Sequence, residues 1–348
     1  MQEKTRVLIV DDSASMRALI RQVLQDAADI AVVGQAASAQ EARDLIKKHN
    51  PDVLTLDVEM PGMDGIAFLE KLMRLRPMPV VMLSSFTPAN SDLALAALSM
   101  GAVDCVEKPA FADLGRFRRR LAQAIRLAAT VAPHSAAGRT LTQLSGVQEG
   151  KWNGSAVLIG ASTGGVDALE TVLSGFPAMC PPTLIVQHMP ALFLERFADR
   201  LNEHVLPHVS IAQHGQSVGC GEVILAPGEN THLMLRPGRS FVVDLVQGPK
   251  QNGHRPSVDA LMRSAVPVAS RVVGVVLTGM GRDGAQGMAQ LRAQGAKCAA
   301  QNEASSVVFG MPRAAIAQDG VDRVLPLSEI ARWVLRATFD PQTTQAFS

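Results

Sequence analysis

Val7 to Val10 is an unbroken apolar run that stops at Asp11-Asp12, and this arrangement returns along the chain. Val53 to Leu56 stops at Asp57, Val80 to Leu83 at Ser84-Ser85, and Val103 to Val106 leads to Lys108-Pro109. A strand buried on both faces reads as a continuous apolar run, as strands of a parallel sheet do. Met16, Leu19, Ile20, Val23 and Leu24 follow the first run at helical spacing. Repetition of this strand-then-helix pattern predicts five βα units in residues 1–126 and a doubly wound parallel sheet.

Residues 127–150 break the pattern. They are rich in Ala, Ser, Thr and Gly, contain Pro133, and lack apolar periodicity, which predicts a linker. A second α/β domain is expected over residues 151–348, with strands at Ser155–Gly160, Thr183–Gln187, Val272–Leu277 and Lys297–Ala300. Between Glu222 and Val246, short strand-like runs alternate with Pro-Gly turns, which predicts an antiparallel excursion. With 47% hydrophobic and 19% charged residues, the chain has enough apolar material for two packed cores. A net charge of +1 and the lack of a basic helix-turn-helix patch argue against a nucleic-acid partner. Cys105, Cys180, Cys220 and Cys298 lie far apart without ligand spacing, as reduced thiols of a cytoplasmic protein would. The first residues lack a signal-peptide core, and no run nears the ~20 apolar residues of a membrane span. Any membrane association is expected to be indirect, through a partner.

The strand ends of the first domain carry the groups of an acidic pocket. Carboxylates at the carboxyl ends of parallel strands repel one another unless a cation joins them, and oxygen-rich sites suit Mg²⁺. A metal-bound carboxylate facing a Lys and a hydroxyl can accept a phosphoryl group. Taken singly, Asp11 and Asp12 read as helix N-caps and Lys108 as a surface residue. Together, the four strand ends closely resemble the response-regulator receiver family. That resemblance implies phosphorylation of Asp57, Mg²⁺ held by Asp11, Asp12, Asp57 and the Glu59 carbonyl, and phosphoryl contacts from Ser84 and Lys108. Where receivers usually carry an aromatic switch residue, this chain has Cys105. A thiol has little apolar area for a packing switch, so Cys105 is expected to be passive, with Phe86 taking some of that role.

In the second domain, GASTGG at 160–165 places Ser162 in a G-x-S-x-G turn between a strand and a helix. The following strand ends at Gln187-His188, and Val272–Leu277 leads through Thr-Gly-Met-Gly-Arg to Asp283. The three residues therefore share one sheet edge, which permits a nucleophile, a base and an orienting carboxylate. Rival readings exist for each motif. GASTGG can cradle phosphate, Asp283 can cap the following helix, and a lipase-type order would draw on Asp244 and His254. A dinucleotide site lacks its acidic residue at the end of the second strand.

The strings GASTGG, QHMP, APG, HRPSVD, LTGMGRDG and QNEASSVVFGMPRAA follow in this order across 160–315. They resemble the chemotaxis protein-glutamate methylesterase family, the CheB type, over nearly all of the second domain. The resemblance implies Ser162 as nucleophile, His188 as base and Asp283 as orienting acid, with Thr163 and Met280 shaping an oxyanion site. It marks Arg255 as a candidate substrate contact, against the simpler reading of HRPSVD as a turn and a capped helix. It implies hydrolysis of glutamate methyl esters on chemoreceptors, glutamine deamidation by the same chemistry, and no cofactor in the catalytic domain. A chemotaxis histidine kinase is the implied phosphodonor. A catalytically silent adaptor and a receiver-linked transcription regulator are the alternatives from other classes.

Overall fold

The computed structural model describes residues 4–85, 87–109, 114–131, 151–228, 230–236, 238 and 240–340. The chain divides into two units, Met1–Arg139 and Thr140–Ser348. Residues 132–150 of the expected linker, and Phe86, lie outside the described residues.

The first unit alternates strands β1 (Thr5–Val10), β2 (Ile30–Ala36), β3 (Val53–Asp57), β4 (Val80–Ser84) and β5 (Asp104–Glu107) with helices α1 (Ala14–Gln25), α2 (Ala39–His49), α3 (Gly65–Leu75), α4 (Pro88–Ser99) and α5 (Leu114–Thr130). The strands pair in parallel in the order β2-β1-β3-β4-β5, the doubly wound sheet predicted from the apolar runs. β3 and β4 are buried at every position, which is why their sequences do not alternate. Leu54, Leu56 and Met82 of the sheet pack with Phe68, Leu69 and Leu72 of α3 in one core. Ser13 caps α1 and Ser38 caps α2, so neither Asp11 nor Asp12 is spent on a helix end. α5 continues to Thr130 because Leu127 and Ala128 are still buried. The expected boundary after residue 126 therefore falls within the helix.

The second unit contains β6 (Lys151–Trp152), β7 (Ala156–Ala161), α6 (Gly165–Ser174), β8 (Thr183–Gln187), α7 (Ala191–His204), β9 (His208–Ile211), β10 (Ser217–Val218), β11 (Glu222–Leu225), β12 (His232–Arg236) and β13 (Phe241–Val246). α8 (Val258–Ser264), β14 (Val272–Val276), α9 (Ala285–Ala293), β15 (Lys297–Gln301), α10 (Met311–Ala317), β16 (Arg323–Leu325), α11 (Leu327–Thr338) and β17 (Phe339–Asp340) follow. Seven strands form a parallel sheet in the order β16-β15-β14-β7-β8-β11-β9. The chain enters at β7, winds through β8 toward one edge, then returns to β14 on the other side of β7 and winds toward the opposite edge. Strand order thus reverses at β7, and open α/β sheets bind ligands at the carboxyl ends of the strands at such a point.

The antiparallel excursion is smaller than expected. β10, β13 and β12 form a three-stranded antiparallel sheet, but Glu222–Leu225 is β11 of the parallel sheet. Val223, Ile224 and Leu225 are fully buried, and only a position with cover on both faces satisfies three consecutive apolar residues. Among the described residues, no helix is long and apolar enough to cross a membrane.

Candidate active site and acceptor pocket

β7 delivers Ser162 and β8 delivers His188 to the edge where the winding reverses. Register pairs Ala161 with Gln187, so the two residues that follow lie side by side. The backbone between them is tied: His188 N donates to Ala161 O at 3.1 Å, and Gln187 Nε2 donates to Ser162 O at 2.9 Å. Ser162 N donates to Thr278 O at 3.0 Å and fastens the turn to the segment after β14. The turn needs glycine at Gly164, where φ is +78° and a Cβ would come within 2.6 Å of Val307 Cβ. It needs another at Gly279, where a Cβ would approach Ser162 Cβ to 2.8 Å.

Asp283 lies past β14 and is 1% exposed. Its Oδ2 lies 2.9 Å from His188 Nε2 and accepts from Val258 N at 2.7 Å. Its Oδ1 accepts from Ser257 Oγ at 2.7 Å and from Asn252 Nδ2 and Asp259 N, both at 3.2 Å. Burial opposes ionisation here. Attraction and hydrogen bonding from His188, with Ser257 Oγ and Val258 N–H behind it, outweigh burial and hold the carboxyl well below the usual carboxylate range. With a carboxylate on Nε2, His188 carries its proton there and presents Nδ1 as the basic nitrogen. His188 Nδ1 is buried and has no hydrogen-bond partner, so Ser162 Oγ is not yet bonded to it. The candidate base and acid are thus joined, while the candidate nucleophile is not bonded to the base, a looseness common in sites without substrate.

Two of the rival readings disagree with this geometry. Asp283 does not cap α9, whose N-cap is Gly284. Asp244, on β13, lies 3.0 Å from Arg236 and 3.1 Å from His214. His254 faces His188 instead, the rings stacked at 3.7 Å between centroids and 5° between planes.

HRPSVD begins at His254, where a turn closed with Gln251 ends, and runs into α8 capped by Ser257. It also holds Asp283, through Ser257, Val258 and Asp259, a role not apparent from the sequence. The serine before an apolar helix signals a cap, but nothing local says that its hydroxyl also reaches a carboxylate 26 residues away. Arg255 is half-buried, with its guanidinium donating to Gly248 O at 2.8 Å. Thr163 precedes the α6 N-cap, and its carbonyl accepts from Thr278 Oγ1 at 2.9 Å. Met280 is 37% exposed. Its neighbour Gly279 accepts from Gly310 N and Met311 N, so the 303–311 segment braces this loop.

In the first unit, Lys108 Nζ lies 2.7 Å from Asp57 Oδ2 and 3.0 Å from Asp11 Oδ2. Asp11 and Asp57 are buried and Asp12 is exposed, and one oxygen from each lies within 4.8 Å of the others. Burial, aided by the Asp11 charge and opposed by Lys108, pushes the Asp57 carboxyl up to about 6. Lys108 is itself shifted up: its contacts with Asp57 and Asp11 outweigh the opposing effect of burial. Clustered hard oxygen donors of this kind suit Mg²⁺. Glu59 N donates to Asp57 Oδ1 at 3.2 Å. Ser84 is buried at the end of β4, but its hydroxyl donates to Ser85 O at 3.2 Å, away from the acidic cluster. Cys105 is partly buried against the receiver core.

Residues 7–120 match the response regulator receiver domain model, and residues 157–334 match that of the CheB methylesterase. A protein-glutamate methylesterase/protein-glutamine glutaminase of Agrobacterium fabrum is 47% identical over 347 residues, spanning 97% of this chain and 98% of its own. This chain belongs to the CheB methylesterase family. A relative so named from Caulobacter vibrioides is 48% identical over 337 residues, spanning 95% of this chain and 97% of its own. The CheB methylesterase catalytic domain of Thermotoga maritima matches in structure with a TM-score of 0.51 at 34% identity, covering 52% of this chain and 97% of that one.

Proposed function

We propose that this chain is a cytoplasmic protein-glutamate methylesterase and protein-glutamine glutaminase that acts on chemoreceptors in chemotactic adaptation and is activated by phosphorylation of Asp57. The observation that supports it most is the His188–Asp283 pair at the winding reversal, with a basic nitrogen left open beside the Ser162 turn.

In this reading Ser162 Oγ attacks the γ-carbonyl carbon of a methylated glutamate, and its proton passes to His188 Nδ1. The tetrahedral oxyanion is met by the turn around Thr163 and by the Met280 loop. As the C–O bond breaks, His188 returns that proton to the departing methoxide, giving methanol and an acyl-serine. Water then attacks the acyl carbon, His188 takes its proton, and Ser162 leaves with it, releasing glutamate. A glutamine substrate follows the same course with ammonia as leaving group. Asp283 stays ionised throughout and stabilises the imidazolium. Arg255 is proposed to contact the receptor segment.

Asp57 accepts the phosphoryl group from a chemotaxis histidine kinase. Asp11, Asp12, Asp57 and the Glu59 carbonyl would hold Mg²⁺, which when bound supplies positive charge to the carboxylates and the phosphoryl oxygens. Lys108 keeps a second cation on that group, and Ser84 turns its hydroxyl from Ser85 O to donate to it.

Methanol release from methylated receptor membranes, with and without a small-molecule phosphodonor, tests the proposal. Release that rises with the phosphodonor is expected. A chain that binds receptors but frees no methanol would be an adaptor, and the proposal would fail.

A further inference from the structure

The stacking of His254 on His188 is not needed to assemble nucleophile, base and acid, yet it covers a face of the proposed base. The rings are parallel to within 5°, with centroids 3.7 Å apart. Two neutral aromatic rings prefer an offset or edge-on arrangement, because their electron-rich faces repel. A cation over a neutral ring face prefers the centred arrangement. Parallel rings with centroids 3.7 Å apart are closer than the roughly 4.5–7 Å that neutral pairs favour, so the stack suits the state in which one ring is charged. In the proposed mechanism His188 becomes imidazolium when it takes the Ser162 proton.

The mounting of His254 supports this. It closes a two-residue turn with Gln251, N–H to carbonyl in both directions at 3.0 and 2.8 Å. Asn252 and Gly253 supply the left-handed backbone, at φ 49° and 85°. Three to five residues further on, Ser257, Val258 and Asp259 bind the Asp283 carboxylate. One short segment thus fixes the acid on the edge of the base and lays a flat ring on its face. An imidazole held on an edge and a face cannot tip, so Nδ1 keeps its aim.

We propose that His254 is a positioning residue for the esterase reaction, which holds the plane of His188 and stabilises its protonated form through its ring face. The proposal rests on the assignment of Ser162, His188 and Asp283 given above. Such stabilisation appears only as charge develops, so it acts on turnover rather than on substrate binding.

The test compares His254→Phe, His254→Leu and Ser162→Ala in the full-length phosphorylated protein, by methanol release and thermal melting. Phe keeps a flat π face, and Leu fills space without one. His254→Leu is expected to lower kcat about three- to tenfold with KM within about twofold, the range an ordinary aromatic contact supplies. His254→Phe is expected to restore kcat to within about threefold of wild type. Equal kcat for Leu, Phe and wild type, or a change confined to KM, overturns the positioning role. So does an equal loss for Phe and Leu at unchanged melting temperature. Activity surviving in Ser162→Ala would instead overturn the assignment of the site itself, which separates the two failures.

Discussion

Replacing Ser257 with Ala removes one hydroxyl that does two jobs. It donates to Asp283 Oδ1 at 2.7 Å, and it accepts from Ala260 N at 3.4 Å as the cap of α8. A hydrogen bond to a buried charge contributes about 1.5–3 kcal/mol, and this long cap bond adds the lower end of the usual cap value, about 0.5 kcal/mol. The expected loss is thus about 2–3.5 kcal/mol, or roughly 5–10 °C in melting temperature for a domain of this size. The loss should depend on pH. The Asp283 carboxyl titrates lower in the folded protein than in the unfolded chain. The stability it contributes is therefore complete above the unfolded carboxylate pKa of about 4 and is lost as pH falls toward its depressed folded value. Without Ser257 that depression shrinks, so the gap between wild type and variant should be full at pH 7 and close only as pH falls through the variant's own folded value, which still lies below the unfolded one. Asp283 keeps its other four donors, so kcat should fall only about tenfold, with KM little changed. Calorimetry over a series of pH values from 7 down to the acid limit of folding, with methanol release in a cycle of Ser257→Ala and Asp283→Asn, reads all of this. If the two substitutions act through one carboxylate, Ser257→Ala should cost far less in the Asp283→Asn background. Fully additive losses, or a stability gap that ignores pH, would refute the coupling.

Ser162→Ala should abolish methanol release while melting temperature and Asp57 phosphorylation stay at wild-type values; near-normal release would move the nucleophile elsewhere, with Thr163 the nearest hydroxyl. Asp57→Asn should keep the unstimulated rate and lose the rise produced by a phosphodonor, and chelation of Mg²⁺ should remove the same rise in the wild type; persistent stimulation in either case would displace Asp57 or the metal. Cys105→Ala should leave the ratio of stimulated to unstimulated activity within about twofold, because a thiol offers little packing difference between states. A large loss of stimulation at equal phosphorylation would make Cys105 part of the switch.

The elements that hold Ser162 and His188 were legible because a strand and the turn after it are local. The run Thr183–Gln187 has the observed bounds, and His188 follows at once. β11 differs from the expectation for a related reason: a four-residue run carries too little pattern to separate an inner strand of a parallel sheet from a hairpin. β9 and β16 escaped notice because His208–Ile211 and Arg323–Leu325 are partly exposed and do not form apolar runs. The support of Asp283 was out of reach, since Ser257 and Asn252 meet it only through the packing of α8 beside α9 and β7. Ser84 shows another limit. The chain order predicts its position at the end of β4, but not that its hydroxyl donates to Ser85 O, a choice set by the local backbone.

Both units place their working groups at the carboxyl ends of parallel strands, and the difference in chemistry comes from what surrounds one residue type. Asp57 and Asp283 are each almost fully buried. Asp57 shares its pocket with the Asp11 carboxylate, and burial prevails over its contact with Lys108, so its charge is held at a cost. A carboxylate in that position gains from more positive charge, which suits an acceptor. Asp283 receives five donors, and their attraction prevails over burial. Every direction of approach to its oxygens is taken, so it can neither attack nor accept a group. What remains to it is a fixed charge against His188 Nε2, and such a charge is of most use when Nδ1 gains a proton and the ring turns cationic. In the proposed reading the same side chain thus serves as an acceptor where its neighbours leave the charge short of partners, and as an orienting group where they satisfy it completely.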